Sequence, residues 1–200
     1  MKFPGLDKRL RWMLVGCAAG LALSLPGLRA ADAQESAGAG GVKLGSELDV
    51  LPYATGGYYG SGFLGRDGWK FRYVVARTNL PSFMVTDGFE DKRTDAYALL
   101  ADRFLGARRG KLEGFWIGGG GEYWRNRVRT DASPAYTNYQ NYLLTLGGGY
   151  VWKFSKHFYL NPWVGGHFVV AHARAIRVSG EIYTQPVFTA EASAKLGITF

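Results

Sequence analysis

An all-β fold, an antiparallel up-and-down transmembrane β-barrel of eight strands over residues 43–200, is predicted by three observations. Apolar and polar residues alternate with period two in segments of about ten residues, and turn chemistry separates these segments. No stretch keeps a helical period, and no apolar run is long enough to cross a bilayer as a helix. An export-type leader precedes all of this.

The leader carries Lys2, Lys8, Arg9 and Arg11, then an apolar run from Trp12 to Leu25, then Pro26, Gly27 and small residues. That is the order of a secretory signal peptide, with cleavage expected after Ala31-Asp32-Ala33. The expected division is a signal peptide at 1–33, a small and polar flexible lead-in at 34–42, and a barrel at 43–200. Leu14-Val15-Gly16-Cys17 has the form of a lipoprotein acylation motif, in which Cys17 becomes the acylated first residue. Only about five apolar residues precede Cys17, however, and the apolar run continues past it. With cleavage at Ala33 the mature chain has no cysteine, so disulfides, thiol nucleophiles and thiolate metal sites are excluded. The leader holds five basic and two acidic residues, leaving 19 and 14 of the 24 and 16 and a mature net charge of +5. These charges are scattered singly or in small groups at turns, unlike the basic face of a nucleic-acid-binding domain.

The last segment alternates most clearly. Phe188, Ala190, Ala192, Ala194, Leu196, Ile198 and Phe200 share one face, against Thr189, Glu191, Ser193, Lys195, Gly197 and Thr199. Further back, Phe158, Leu160, Pro162, Val164, Gly166, Phe168 and Val170 form an outward row. Tyr142, Leu144, Leu146, Gly148, Tyr150 and Trp152 form another, and Phe115, Ile117 and Tyr123 oppose Trp116, Glu122 and Trp124. Trp69, Phe71, Tyr73 and Val75 oppose Lys70, Arg72 and Ala76, while Tyr97, Leu99 and Ala101 give the outward face of a plainer strand at 94–105. Even strand parity requires one strand more, and the glycine-rich stretch 57–65, closed by Arg66-Asp67-Gly68 as a hairpin turn, supplies it. Connections at 66–68, 106–111 and 154–156 are short, as periplasmic turns are, whereas 80–93, 127–137 and 172–185 are longer and polar, as extracellular loops are. The Tyr53-Ala54-Thr55 connection is the exception, being short on the outer side.

This parity places Lys43, Glu47, Asp49, Lys70, Arg72, Asp102, Glu122, His167, Glu191 and Lys195 in the lumen. Eight strands leave an interior about filled by its side chains, so the charges are expected to pair as a structural plug; a narrow ion or proton path is the functional alternative. Glycines at 118–121, 147–149 and 165–166 lie at similar depth on three successive strands. Outward Gly119, Gly121, Gly148 and Gly166 would leave a shallow groove for an acyl chain or another subunit, although bending of a tightly curved wall accounts for glycine there as well.

Catalytic chemistry has few carriers. His172, Ser179 and Glu181 supply the residue types of a hydrolytic triad, which needs Ser, imidazole and carboxylate within hydrogen-bond reach. The histidine-x-serine strand of outer-membrane deacylases is missing, since the sequence reads His172-Ala173-Arg174. His157, His167 and His172 lack a metal-ligand spacing, and the glycine runs lack the strand-to-helix context of a phosphate site. Neither metal nor cofactor is expected.

Leu196, Ile198 and Phe200 at alternate positions, ending on an aromatic residue, resemble the signal by which outer-membrane barrels are recognised for assembly. With the alternating segments, they make residues 43–200 similar to the small OmpA-like and opacity-protein-like outer-membrane barrels. That resemblance implies residence in a bacterial outer membrane, contact with its lipid and lipopolysaccharide, and folding by the barrel-assembly machinery. It leaves the oligomeric state open. A non-enzymatic structural or surface-interaction role through the long loops, without an open pore, is the leading expectation. The alternatives are a lipid A deacylase or acyltransferase and a soluble periplasmic lipocalin-like barrel.

Overall fold

Residues 41–171 and 175–200 are described by a computed structural model. The expected signal peptide, Cys17, residues 34–40 of the lead-in and the candidate His172 lie outside them. The strands are β1 (Lys43–Asp49), β2 (Tyr58–Arg66), β3 (Trp69–Asn79), β4 (Phe89–Phe104), β5 (Gly114–Thr130), β6 (Thr137–Lys153), β7 (Phe158–Ala171), β8 (Ala175–Val178), β9 (Glu181–Thr184) and β10 (Phe188–Thr199). Eight of them close into one antiparallel barrel in the order β1-β10-β7-β6-β5-β4-β3-β2, while β8 and β9 pair separately as a hairpin.

The predicted hairpin turn between β2 and β3 is made by Asp67 and Gly68, both with positive φ (53° and 81°). This is the two-residue geometry whose twist matches that of the flanking strands. Closure runs through β1, where Gly45 faces Thr199 and Asp49 faces Lys195, and the Phe200 amide donates to Leu44 O at 2.8 Å.

Alternation sorts the side chains as period two requires. Phe71, Leu99 (69% exposed), Ile117, Leu146, Val164 and Leu196 point out, while Lys70, Arg72, Asp102, Asn141, Asn161 and Lys195 are buried inside. Two aromatic rows bound the apolar wall. Above, Tyr97, Tyr123 and Tyr142 are neighbours on β4, β5 and β6, with centroids 6.4 and 5.2 Å apart. Below lie Trp69, Phe115, Tyr150, Trp152 and Phe158. The climb from Phe115 to Tyr123 along β5 rises roughly 20 Å for a strand tilted by about 40°. That approaches the roughly 25 Å apolar band of a barrel in a bilayer.

The upper end differs from the expected loops in three ways. β4, β5 and β6 run 16, 17 and 17 residues, so the stretch expected as a loop at 127–137 is strand at both ends, and only 131–136 connects. Likewise 80–93 narrows to 80–88, with a 3-10 turn at Ser82–Met84. The loop at 172–185 contains the β8-β9 hairpin, and the outer connection at Tyr53 is a one-turn helix, Val50–Ala54, capped by Asp49. These segments carry their own apolar cluster: Val85, Phe89, Val128, Ile176, Val178 and Tyr183, the last edge-on to Phe89 at 5.1 Å. The upper loops therefore form a packed cap.

Beyond the tyrosine row, Arg129 donates from Nε to Asp91 at 2.7 Å and pairs with Glu90 at 2.7 Å, and the Tyr136 hydroxyl donates to Asp91 at 3.1 Å. The Arg129 hydrogen bond holds the Asp91 carboxyl below its ordinary range. A group titrating lower in the folded than in the unfolded state contributes stability above its unfolded pKa and loses it as pH falls through the folded one. Limited proteolysis in the 131–136 turn is accordingly expected to increase below about pH 4, with little change between pH 6 and 8.

Candidate functional site

Four charges from three strands meet at the centre of the lumen. Lys70 Nζ donates to Glu47 Oε1 at 2.8 Å and lies 3.6 Å from Asp102 Oδ2. Arg72 grips Asp102 at two points, Nε to Oδ2 at 2.7 Å and Nη2 to Oδ1 at 2.9 Å, and lies 3.8 Å from Glu47. All four are at most 4% exposed. Two carboxylates and two cations balance; the Nη2–Oδ1 contact is a charge-assisted hydrogen bond, while the Nε–Oδ2 contact is an ion-pair approach without hydrogen-bond geometry. Tyr159 and Asn161 of β7 also donate to Glu47 Oε1, at 2.9 and 3.2 Å.

Lys195 has a different environment. Its Nζ stands 3.8 Å from the Trp163 ring centre, 5.7 Å from Tyr59 and 5.9 Å from Trp116, so cation–π attraction, chiefly to Trp163, stabilises the ammonium. Asp49 accepts from Trp163 Nε1 at 2.9 Å and from the Ser193 hydroxyl. Nearer the upper end, His167 bridges two acids, with Nδ1 3.3 Å from Glu122 and Nε2 3.1 Å from Glu191. Thr145 Oγ1 is 2.9 Å from Nδ1. Both ring nitrogens are thus occupied, and the imidazole acts as a clamp between β5, β6, β7 and β10. Lys43 stands at the lower rim, donating to Gly110 O at 2.9 Å.

Of the lumen residues picked out by parity, Glu47, Lys70, Arg72 and Asp102 meet in one cluster and Glu122, His167 and Glu191 in a second, while Asp49 and Lys195 pair with Trp163 and its neighbours and Lys43 stays at the rim. The catalytic candidates do not assemble with them. Ser179 is an exposed turn residue with φ of 49°, followed by Gly180 at 95°, and Glu181 is exposed beside it. The pair makes the two-residue β8-β9 turn, which explains Ser-Gly there without chemistry. His172 lies outside the described residues. Among those described, no cluster of three or more His, Cys, Asp or Glu side chains is placed to hold a metal ion.

The glycine groove needs correction. Gly119 and Gly166 face outward, but Leu146 covers the first and the Phe188 ring the second. Gly121 remains open, while the space beyond Gly148 is limited by the Trp116 carbonyl. The apolar depression of the outer wall lies instead on β2 to β5, about 690 Å³, lined by Leu64, Phe71, Tyr73, Leu99, Ala101 and Gly119. A second, polar depression of about 510 Å³ lies above it on β4 to β6. Its arginines escape a reading of the sequence for apolar contrast, although Arg125-x-Arg127-x-Arg129 is itself a period-two signal that puts three cations on one face.

No protein-family profile matches the sequence, and no curated protein matches it. Among solved structures the chain is similar to Neisserial surface protein A, with a TM-score of 0.50 and 12% identity over 80% of this chain and 96% of that one. It is also similar to a major outer membrane protein from Thermus thermophilus, with a TM-score of 0.51 and 11% identity over 80% of this chain and 100% of that one. The fold is that of the small eight-stranded outer-membrane barrels.

Proposed function

We propose that this chain is a resident of a bacterial outer membrane, exported by a cleaved signal peptide at 1–33 and folded there by the barrel-assembly machinery through Leu196, Ile198 and Phe200. Its lumen is plugged, and it serves a structural or surface-interaction role through the packed upper cap, in contact with lipid and lipopolysaccharide. The observation that carries this reading is inverted polarity. A closed barrel with Leu99, Ile117 and Leu146 exposed outside and Glu47, Lys70, Arg72 and Asp102 buried inside is stable where its surroundings are apolar, because water would leave a large apolar surface unsatisfied. A soluble lipocalin-like barrel has the reverse arrangement.

The test is expression with membrane fractionation, heat-modifiable migration, and protease treatment of intact cells. The expected result is a detergent-extracted, heat-modifiable protein cleaved from outside only in the cap. Recovery in the soluble periplasmic fraction overturns the reading. Lipid A from the same cells is expected to keep one mass with the wild-type chain and with Ser179→Ala. A mass change lost in Ser179→Ala would make the protein a lipid-modifying enzyme.

A further inference from the structure

The outer wall above the tyrosine row is rich in arginine. Register sets Arg77 of β3 beside Asp95 of β4, then Arg125 of β5, then Gln140 of β6; one step higher stand Asn79, Arg93, Arg127 and Asn138. All of these face outward, because they share parity with Tyr97, Tyr123 and Tyr142. The Tyr123 hydroxyl donates upward to Gln140 Oε1 at 2.6 Å, joining the row to the polar wall.

The charges in this patch do not cancel. Asp95 serves both Arg77 and Arg93, and Glu90 and Asp91 serve Arg129. Arg125 and Arg127 have no carboxylate within ion-pair distance among the described residues. Arg127 stacks on Tyr136 at 4.5 Å, and the Nε atoms of Arg93 and Arg127 are buried without a hydrogen-bond partner. Arg127 held in this way beside the exposed Arg125, around a depression of about 510 Å³, suits the oxygens of a phosphate. Below it on the same β4 and β5 lies the apolar depression at Leu99, Ala101 and Gly119, of about 690 Å³.

We propose that this wall binds a phosphorylated glycolipid of the outer leaflet. Arg125 and Arg127 hold the phosphate, Asn138 and Gln140 meet sugar hydroxyls, and acyl chains lie over Leu99, Ala101 and Gly119. The proposal rests on the membrane reading above, which brings the phosphate plane of the leaflet level with these rows.

The test uses the full mature barrel, folded in detergent and shown heat-modifiable, in native mass spectrometry. Probes are bisphosphorylated lipid A, its dephosphorylated form and phosphatidylglycerol. Variants are Arg125→Gln/Arg127→Gln and, as a charge-matched control at the opposite rim, Arg66→Gln/Arg108→Gln. The expected result is retention of bisphosphorylated lipid A by wild type and control, and a loss on the order of tenfold or more in the Arg125/Arg127 pair. The dephosphorylated lipid is expected to bind weakly to all three. Equal retention by all three proteins, equal retention of the dephosphorylated lipid, or preference for phosphatidylglycerol overturns the proposal. If the wild type is heat-modifiable and inserts into vesicles yet shows no dependence on these arginines, the glycolipid site alone fails. If it does not insert, the membrane reading and the site fall together.

Discussion

Arg72→Met is expected to lower the stability of the folded barrel by about 3–5 kcal/mol, the cost of removing one partner from a buried ion pair. Arg72 makes both short contacts to Asp102 and also faces Glu47. Its loss leaves Asp102 with Lys70, 3.6 Å away and already bonded to Glu47, as its remaining ion-pair partner among the described residues, at a depth where Lys70 and Asp102 are at most 1% exposed. With a urea slope near 2 kcal/mol/M, the unfolding midpoint in lipid or detergent should fall by roughly 2 M. The paired change Arg72→Met/Asp102→Leu removes one charge of each sign and is expected to recover most of this loss, because neither remaining group is left uncompensated. The same measurement separates a plug from a path. If water reaches the quartet, the local dielectric rises and the single change costs about 1 kcal/mol or less. A loss below that level would therefore count against the plug.

How far the sequence can lead is clear from particular strands. β10 reads directly, since Lys195 inside and Leu196 outside follow from alternation alone, and β2 emerges from even strand parity although glycine hides its pattern. Above the tyrosine row the strands are hidden for a physical reason. There the outer face turns polar, so Arg125, Arg127 and Arg129 alternate with Asn126, Val128 and Thr130 without the apolar contrast that marks a strand lower down. The upper reaches of β4, β5 and β6 consequently read as loops. Parity also assigns a face without assigning a neighbour. It places Glu47, Lys70, Arg72 and Asp102 inside, but their meeting depends on register, which sets Lys70 opposite Asp102. The expected glycine groove shows the same limit: Gly166 does face out, yet Phe188 from the adjacent strand covers it. The β8-β9 hairpin offers only four-residue strands and a Ser-Gly turn, too little to outweigh its polar surroundings.

Trp116→Ala is expected to cost about 3–5 kcal/mol and also to weaken the seal of the lower lumen, because truncation leaves a large cavity in addition to the lost transfer energy. The indole is 3% exposed and packs with Phe63, Phe104, Leu112, Val151 and Tyr159. Its Nε1 donates to Asn161 Oδ1 at 2.9 Å, and Asn161 in turn donates to Glu47. Its ring lies 5.9 Å from Lys70, 5.4 Å from Arg72 and 5.9 Å from Lys195, so cation–π attraction is lost as well. Trp116→Phe keeps an aromatic face and most of the volume but not the N–H, and a smaller cost of about 1–2 kcal/mol is expected from the lost hydrogen bond. Because this cluster lies between the charged quartet and the lower mouth, the alanine variant should admit water to the network from below. In planar bilayers, conductance is expected to rise in Trp116→Ala and to stay near the wild-type level in Trp116→Phe. If both variants unfold at the wild-type midpoint, the aromatic cluster does not support the lumen; if Trp116→Ala loses stability without gaining conductance, the ion-pair quartet above it seals the barrel by itself.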